Sequence, residues 1–154
     1  MSGETQDAAA RCLVVGYDRS ESARAALGWA TAELEPKGKL VIVYACRPQH
    51  APPSPLTSSH ERSQLGHTTI DELMLEADPK MLDLDIATEV VDQDPASALL
   101  GAAKRYDASR IVVGMDEHSR LHQAIGTVIT ALQKSSPVPV VGVSADGTPL
   151  DVKS

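Results

Sequence analysis

Apolar positions along this chain follow two spacings that take turns. Short runs dense in valine and isoleucine occur at CLVVGYD from Cys12, KLVIVYA from Lys39, RIVVG from Arg110 and VPVVGV from Val138. Runs of this length fit strands buried on both faces. Between the first two, RSESARAALGWATAEL places Ala23, Ala26, Leu27, Ala30 and Leu34 on one helical stripe, and Gly38 follows as a stop signal. A weaker strand is predicted at DIATEVVD, where alternation puts Ile86, Thr88 and Val90 on one face. Asp94-Pro95 marks a helix start, because the aspartate can accept from free N–H groups and proline has none to leave unpaired. That helix, ASALLGAAKRYDA, is expected to bury Leu99, Ala102, Ala103 and Tyr106, and GTVITALQKSS from Gly126 reads as the final helix. Each long connection between strands contains a helix, which predicts parallel strands joined by right-handed crossovers. The expected class is α/β, a doubly wound, five-stranded, mostly parallel open sheet with helices on both faces.

The segments outside this alternation read differently. Residues 1–10, MSGETQDAAA, have neither a basic end nor an apolar core and are expected to be a flexible tail. Residues 47–68 are rich in proline and serine, lack either period, and read as a long loop. Thr69 and Glu72 then suggest a capping box opening a short helix through Leu73, Met74 and Ala77, ended by Pro79. Residues 11–145 form one expected domain and 146–154 a tail, with no internal repeat and no second core.

Composition narrows the function classes. Fourteen basic against twenty-one acidic residues give a net charge of −7, with no basic run and only one tryptophan and three tyrosines for bases to stack on, so nucleic acid is not an expected partner. No window approaches the ~18 consecutive apolar residues of a membrane span, and the expected compartment is the cytoplasm. Cys12 and Cys46 fall at opposite ends of parallel strands, too far apart for a bridge, and both are expected to be reduced and structural. His118 and His122 have a spacing that can seat a metal on one helix face. No third ligand stands at a defined distance, so no metal site is expected and the pair reads as a solvated face. The chain has no G-x-S-x-G elbow, no G-x4-G-K-(S/T) loop and no H-E-x-x-H.

Candidate chemistry gathers where open parallel sheets place their ligands, beyond the carboxyl ends of strands whose crossovers leave in opposite directions. Asp18 ends the first strand and Gly114 the fourth. If those strands are neighbours, Asp18 shares a crevice with the loop from Gly114 to Gly126 and with the start of the last helix, whose free N–H groups attract anions. A structural role is also open to each: Asp18 or Ser20 can cap the first helix, and Gly114 and Gly126 can simply end a strand and begin a helix.

Four blocks together, YDRSESARAALGWA, VYACRP, EVVDQDPASALLGAAKRYDASRIVVG and GTVITALQKSSPVPVVGV, give the chain its family likeness. It resembles the universal stress protein family over nearly its whole length. The resemblance implies a Rossmann-like fold of the adenine nucleotide alpha hydrolase type, a homodimer through the last strand at 138–143, and an adenine nucleotide, AMP or ATP with Mg2+, as ligand. By the same resemblance Asp18 faces ribose or adenine, backbone near Ala45 reads the adenine edge, Val113 and Gly114 flank the ribose, and Gly126, Thr127 and Val128 carry phosphate.

Binding members carry G-x2-G-x9-G-(S/T) after the fourth strand. Here Glu117 stands at the second glycine, and eight residues instead of nine separate it from Gly126. A side chain blocks close backbone approach, and Asp116 and Glu117 set like charge beside a polyphosphate. One such pair at ~4 Å costs about 1 kcal/mol in water and about 4 at an effective dielectric of ~20. Magnesium, Arg120 or protonated His118 would soften this. The sequence therefore predicts a small dimeric stress-response module whose nucleotide site is degenerate, with weak or no ATP binding and at most slow ATP hydrolysis. Two alternatives stand beside it, an ATP- or AMP-binding switch or slow ATPase of the same type, and a scaffold that engages a partner through 47–68.

Overall fold

A computed structural model describes residues 11–46, 59–115 and 127–154. In chain order these form β1 (Cys12–Gly16), α1 (Glu21–Leu34), β2 (Lys39–Ala45), α2 (Ser59–Glu76), α3 (Pro79–Leu82), β3 (Asp85–Val91), α4 (Pro95–Arg105), β4 (Arg110–Gly114), α5 (Thr127–Ser135), β5 (Val140–Val143) and β6 (Pro149–Lys153). The class is α/β as expected, but the sheet has six strands, ordered β3-β2-β1-β4-β5-β6. The first five are mutually parallel and β6 runs antiparallel to β5.

Alternation along each strand divides the interior into two layers. Leu13, Val15, Leu40, Ile42 and Val112 face one side, under Ala23, Ala26, Leu27, Ala30 and Leu34 of α1 and Ile70 and Leu73 of α2. Val14, Val41, Ile111 and Val113 face the other, under Leu99, Ala102 and Ala103 of α4 and Ile129 and Leu132 of α5. Strands covered on both faces have no polar positions to spare, which is why they read as continuous apolar runs. The helix after β1 and the helix after β4 thus lie on opposite faces, and β1 and β4 are neighbours.

Three sequence expectations change. Residues 59–68, assigned to the loop, are the first part of α2, and Thr69 is not a cap: it lies mid-helix, buried, with its hydroxyl donating to the Leu65 carbonyl at 2.8 Å. The helix buries Gly66, Thr69, Ile70 and Leu73, a stripe whose first half is not apolar enough for periodicity to register. Residues 146–154, expected to be a tail, contain β6, which a turn through Asp146 and Gly147 folds back on β5. In consequence 138–143 does not offer a free edge for a second copy, because β5 is flanked by β4 on one side and β6 on the other. Among the described residues, no helix is long and apolar enough to cross a membrane.

Candidate functional site

The carboxyl ends of β1, β2 and β4 open into a slot of about 120 Å³. The β1–β2 register ends with Gly16 opposite Val43 while β2 continues to Ala45, which leaves a notch beyond the shorter strand. The Tyr17 amide donates to the Val43 carbonyl at 2.9 Å and the Met115 amide to Val143 at 2.8 Å, so the strand exits that bound the notch are fixed by the ladder itself. Ala23, Val43, Leu99, Val113 and Val128 give the slot apolar walls, while Asp18 and Ser20 supply polar side chains. It is well below the ~300–1,000 Å³ of sites that enclose a drug-sized ligand, so it suits one ring or sugar of a larger molecule.

At the first strand exit, both helix-cap candidates are used, in different roles. Ser20 is the N-cap of α1, its hydroxyl accepting from the Ala23 amide at 3.1 Å. Asp18 supports it from outside: one carboxylate oxygen accepts from the Ser20 amide at 3.0 Å and from the Ser20 hydroxyl at 2.5 Å. The turn between them holds Arg19 at φ 74°, a left-handed conformation, and Arg19 pairs with Glu72 of α2 at 2.5 Å. Asp18 is thus exposed at the lip of the slot, with its second oxygen directed to no partner given by the cap.

Among the described residues, three helices begin at this slot: α1 through Ser20 and Ala23, α4 through Pro95, and α5 through Val128. Their N-terminal dipole ends favour negative charge. Asp94 caps α4, accepting from the Ser97 amide at 3.0 Å with Pro95 in the first turn. No lysine, arginine or histidine lines the slot among the described residues. Among the described residues, positive potential therefore comes from backbone alone, and the one charged side chain in the lining is the carboxylate of Asp18.

Of the sequence-predicted site residues, Asp18, Ala45, Val113, Gly114 and Val128 come together around this slot. Gly126 lies outside the described residues, as do Asp116, Glu117, His118, Arg120 and His122, and of Thr127 only its place at the start of α5 is described. Sequence reasoning missed Gly16, Tyr17, Ser20, Val43 and Pro95 as lining residues. Their signal was positional, since each sits at a strand exit or a helix start on the carboxyl side of the sheet. Gly114 has a packing role of its own, because a Cβ there would stand 2.6 Å from the Ser22 hydroxyl oxygen and 2.7 Å from the Ala23 nitrogen.

Both cysteines are free: burial pushes the Cys12 thiol up, and burial followed by the neighbouring Asp92 charge pushes Cys46 up. Neither is a ready thiolate. Among the described residues, no group of three or more histidine, cysteine, aspartate or glutamate side chains is placed to hold a metal.

The family model described as the universal stress protein family matches residues 10–144. Among solved structures, "Universal stress protein UspA from Lactobacillus plantarum" is similar with a TM-score of 0.64 at 19% identity, covering 86% of this chain and 96% of that one. A universal stress protein in complex with cAMP is similar at 0.57 and 25% identity, covering 88% of this chain and 97% of that chain. One from Archaeoglobus fulgidus in complex with dAMP is similar at 0.57 and 19% identity, covering 86% and 96%. No curated protein matches the chain in sequence.

Proposed function

Because the chain belongs to the universal stress protein family, whose model spans residues 10–144, we propose that it is a small stress-response module whose slot receives the nucleoside part of an adenine nucleotide and holds ATP weakly or not at all. The observation that carries this reading is the slot itself, an apolar notch at the β1–β4 junction with Asp18 at its lip and three helix starts around it. In this reading the free oxygen of Asp18 accepts from ribose or adenine, backbone at Ala45 meets the adenine edge, and Val113 and Gly114 flank the sugar. Gly126, Thr127 and Val128 would stand nearest the phosphate. Relatives bound to cAMP and dAMP, each with one phosphate, support a mononucleotide as the ligand size.

Charge argues against three phosphates. The described lining has no basic side chain to share the charge of a triphosphate, and Asp116 and Glu117 follow in sequence just after Met115, the residue next to the end of β4. Catalysis has no part in this reading, nor does a resident metal. The pairing of two copies through 138–143 would require β6 to leave first.

Calorimetric titration of the full chain with AMP, cyclic AMP and ATP, each with and without magnesium, tests the proposal. The expected result is binding of a mononucleotide that exceeds binding of ATP. Micromolar ATP affinity would instead establish the nucleotide switch, and silence toward all three ligands would leave the slot without its proposed occupant.

A further inference from the structure

On the sheet face away from α4 and α5, a second opening lies between α1, the last turn of α2 and α3. Its volume is about 410 Å³, larger than that of the slot and within the ~300–1,000 Å³ of sites that enclose small molecules. The two openings share no lining residue. Leu27, Leu73 and Met81 of the buried cluster form its floor, with Ala77 packed against that cluster. Beside them the flank of α1 is bare. Gly28 and Ala32, one turn apart, are exposed, and a methyl group added at Gly28 would meet nothing within 4 Å. Two residues after α2, α3 begins and touches α1, so the groove is closed at that end. A blind groove suits a compact molecule better than a helix passing through.

Electrostatics around the rim favour a cation. The carboxyl ends of α1 and α2 both lie here, and neither helix has a basic residue in its last turn to answer the negative end of its dipole. Glu35, Glu76 and Asp78 stand against Arg24 and Lys80 in the lining. Arg24 is already engaged, drawn to the Tyr17 side chain and to Glu76 and Glu21. Asp78 uses one carboxylate oxygen to accept from the Lys80 amide at 2.8 Å, at the start of α3. Glu35, directly after α1, has no cationic partner among the described residues. An anion in the groove would meet this surplus of negative charge, and a neutral guest would leave it unanswered.

We propose that this groove binds a small amphipathic cation, a primary amine on a short hydrocarbon body. The hydrocarbon lies over Gly28 between Leu27, Leu73 and Met81, and the ammonium faces the ends of α1 and α2 at Glu35 and Glu76. The site is separate from the slot, and its occupancy does not depend on whether the slot takes a nucleotide.

Chemical-shift mapping on the isotopically labelled full chain, titrated separately with hexylammonium, hexanol and hexanoate, tests this. Hexylammonium should bind saturably, with shifts centred on 27–35 and 73–81. Its affinity should exceed that of hexanol roughly tenfold, since helix ends and exposed carboxylates each add a few-fold at most. Hexanoate should bind more weakly than hexanol. Glu35→Gln with Glu76→Gln should lower hexylammonium to the level of hexanol and leave hexanol unchanged, whereas Gly28→Leu fills the groove and should abolish binding of both. The proposal is overturned by equal affinity for the three probes, by hexylammonium shifts that do not saturate or centre elsewhere, or by a Gly28→Leu chain that binds as the native one does. Should Gly28→Leu unfold, the ranking of the probes and the charge variant still decide the matter.

Discussion

A methyl group added at Gly114 would meet the Ser22 hydroxyl oxygen at 2.6 Å and main-chain atoms of Ser22 and Ala23 at 2.7 Å. Main-chain atoms in the first turn of a helix cannot rotate away as a side chain can, so α1 as a whole must shift. At Gly28, by contrast, an added methyl finds nothing within 4 Å, although the residue lies in the interior of α1. The same substitution should therefore have opposite signs at the two sites. Gly114→Ala is expected to cost about 1–3 kcal/mol as overpacking and to weaken any ligand at the slot, because α1 carries Ser20. Gly28→Ala should stabilise by roughly 0.5–1 kcal/mol through the helix preference for alanine over glycine. Urea denaturation of both variants checks the pair; equal shifts would show that the close approach at Gly114 is not what governs it. Arg19 belongs to the same scale, since its left-handed turn and its exposed pair with Glu72 oppose each other and neither is large.

Among the elements, caps explain where helices begin, and they were legible in the sequence only where the capping residue stands beside proline. Asp94-Pro95 announces α4, and the structure has Asp94 accepting from the Ser97 amide at 3.0 Å. Asp94→Ala should cost about 1 kcal/mol, within the ~0.5–2 range for lost caps. The denaturation midpoint should fall with little change in its slope, because one helix end is loosened without altering the surface exposed on unfolding. The first helix was ambiguous because DRSE holds two candidate caps, and only the fold shows Ser20 capping with Asp18 bracing it. Two elements escaped pattern reading for identifiable reasons. In α2 the face turned to the sheet uses Gly66, where an added Cβ would lie 2.5 Å from Val90 and 2.9 Å from Tyr44. The helix lies so close there that the inward position carries no side chain, and hydrophobic spacing has nothing to detect. In β6 the alternation is only two residues long, Leu150 and Val152, but Asp146-Gly147 before it is a hairpin signal that points back to β5.

At the scale of the whole molecule, the site was legible in its strand ends and illegible in its walls. Asp18 and Gly114 could be paired from topology alone, because the alternation of strands and helices places a switch point at β1–β4, whereas Pro95 reaches the slot through the packing of α4, and Val43 through the register that sets it opposite the end of β1. The same packing gives the molecule a pH response that no single surface charge supplies. Burial, aided by Asp107 and Asp85 against the opposing Lys39, raises the Cys12 thiol above its ordinary 9.0. Burial and Asp92 raise Cys46 above the same value, and burial with the Glu89 hydrogen bond raises Tyr106 above 10.0. In the unfolded chain these groups ionise near their ordinary values, while in the folded chain they hold their protons to higher pH. The folded state then binds more protons than the unfolded state, so stability falls as pH rises through that window. The neutral-side stability is intact below pH 9.0, and the loss begins as the unfolded-state Cys12 and Cys46 thiols start to ionise. Unfolding followed from about pH 8 to about pH 10.5 should show a free energy that holds at the low end and declines as the pH passes about 9, and Cys12→Ala should make the decline shallower whatever it does to stability at neutral pH. An unchanged slope in that variant would mean that the buried thiol at the start of β1 does not carry the alkaline sensitivity, leaving Cys46 and Tyr106 as its source.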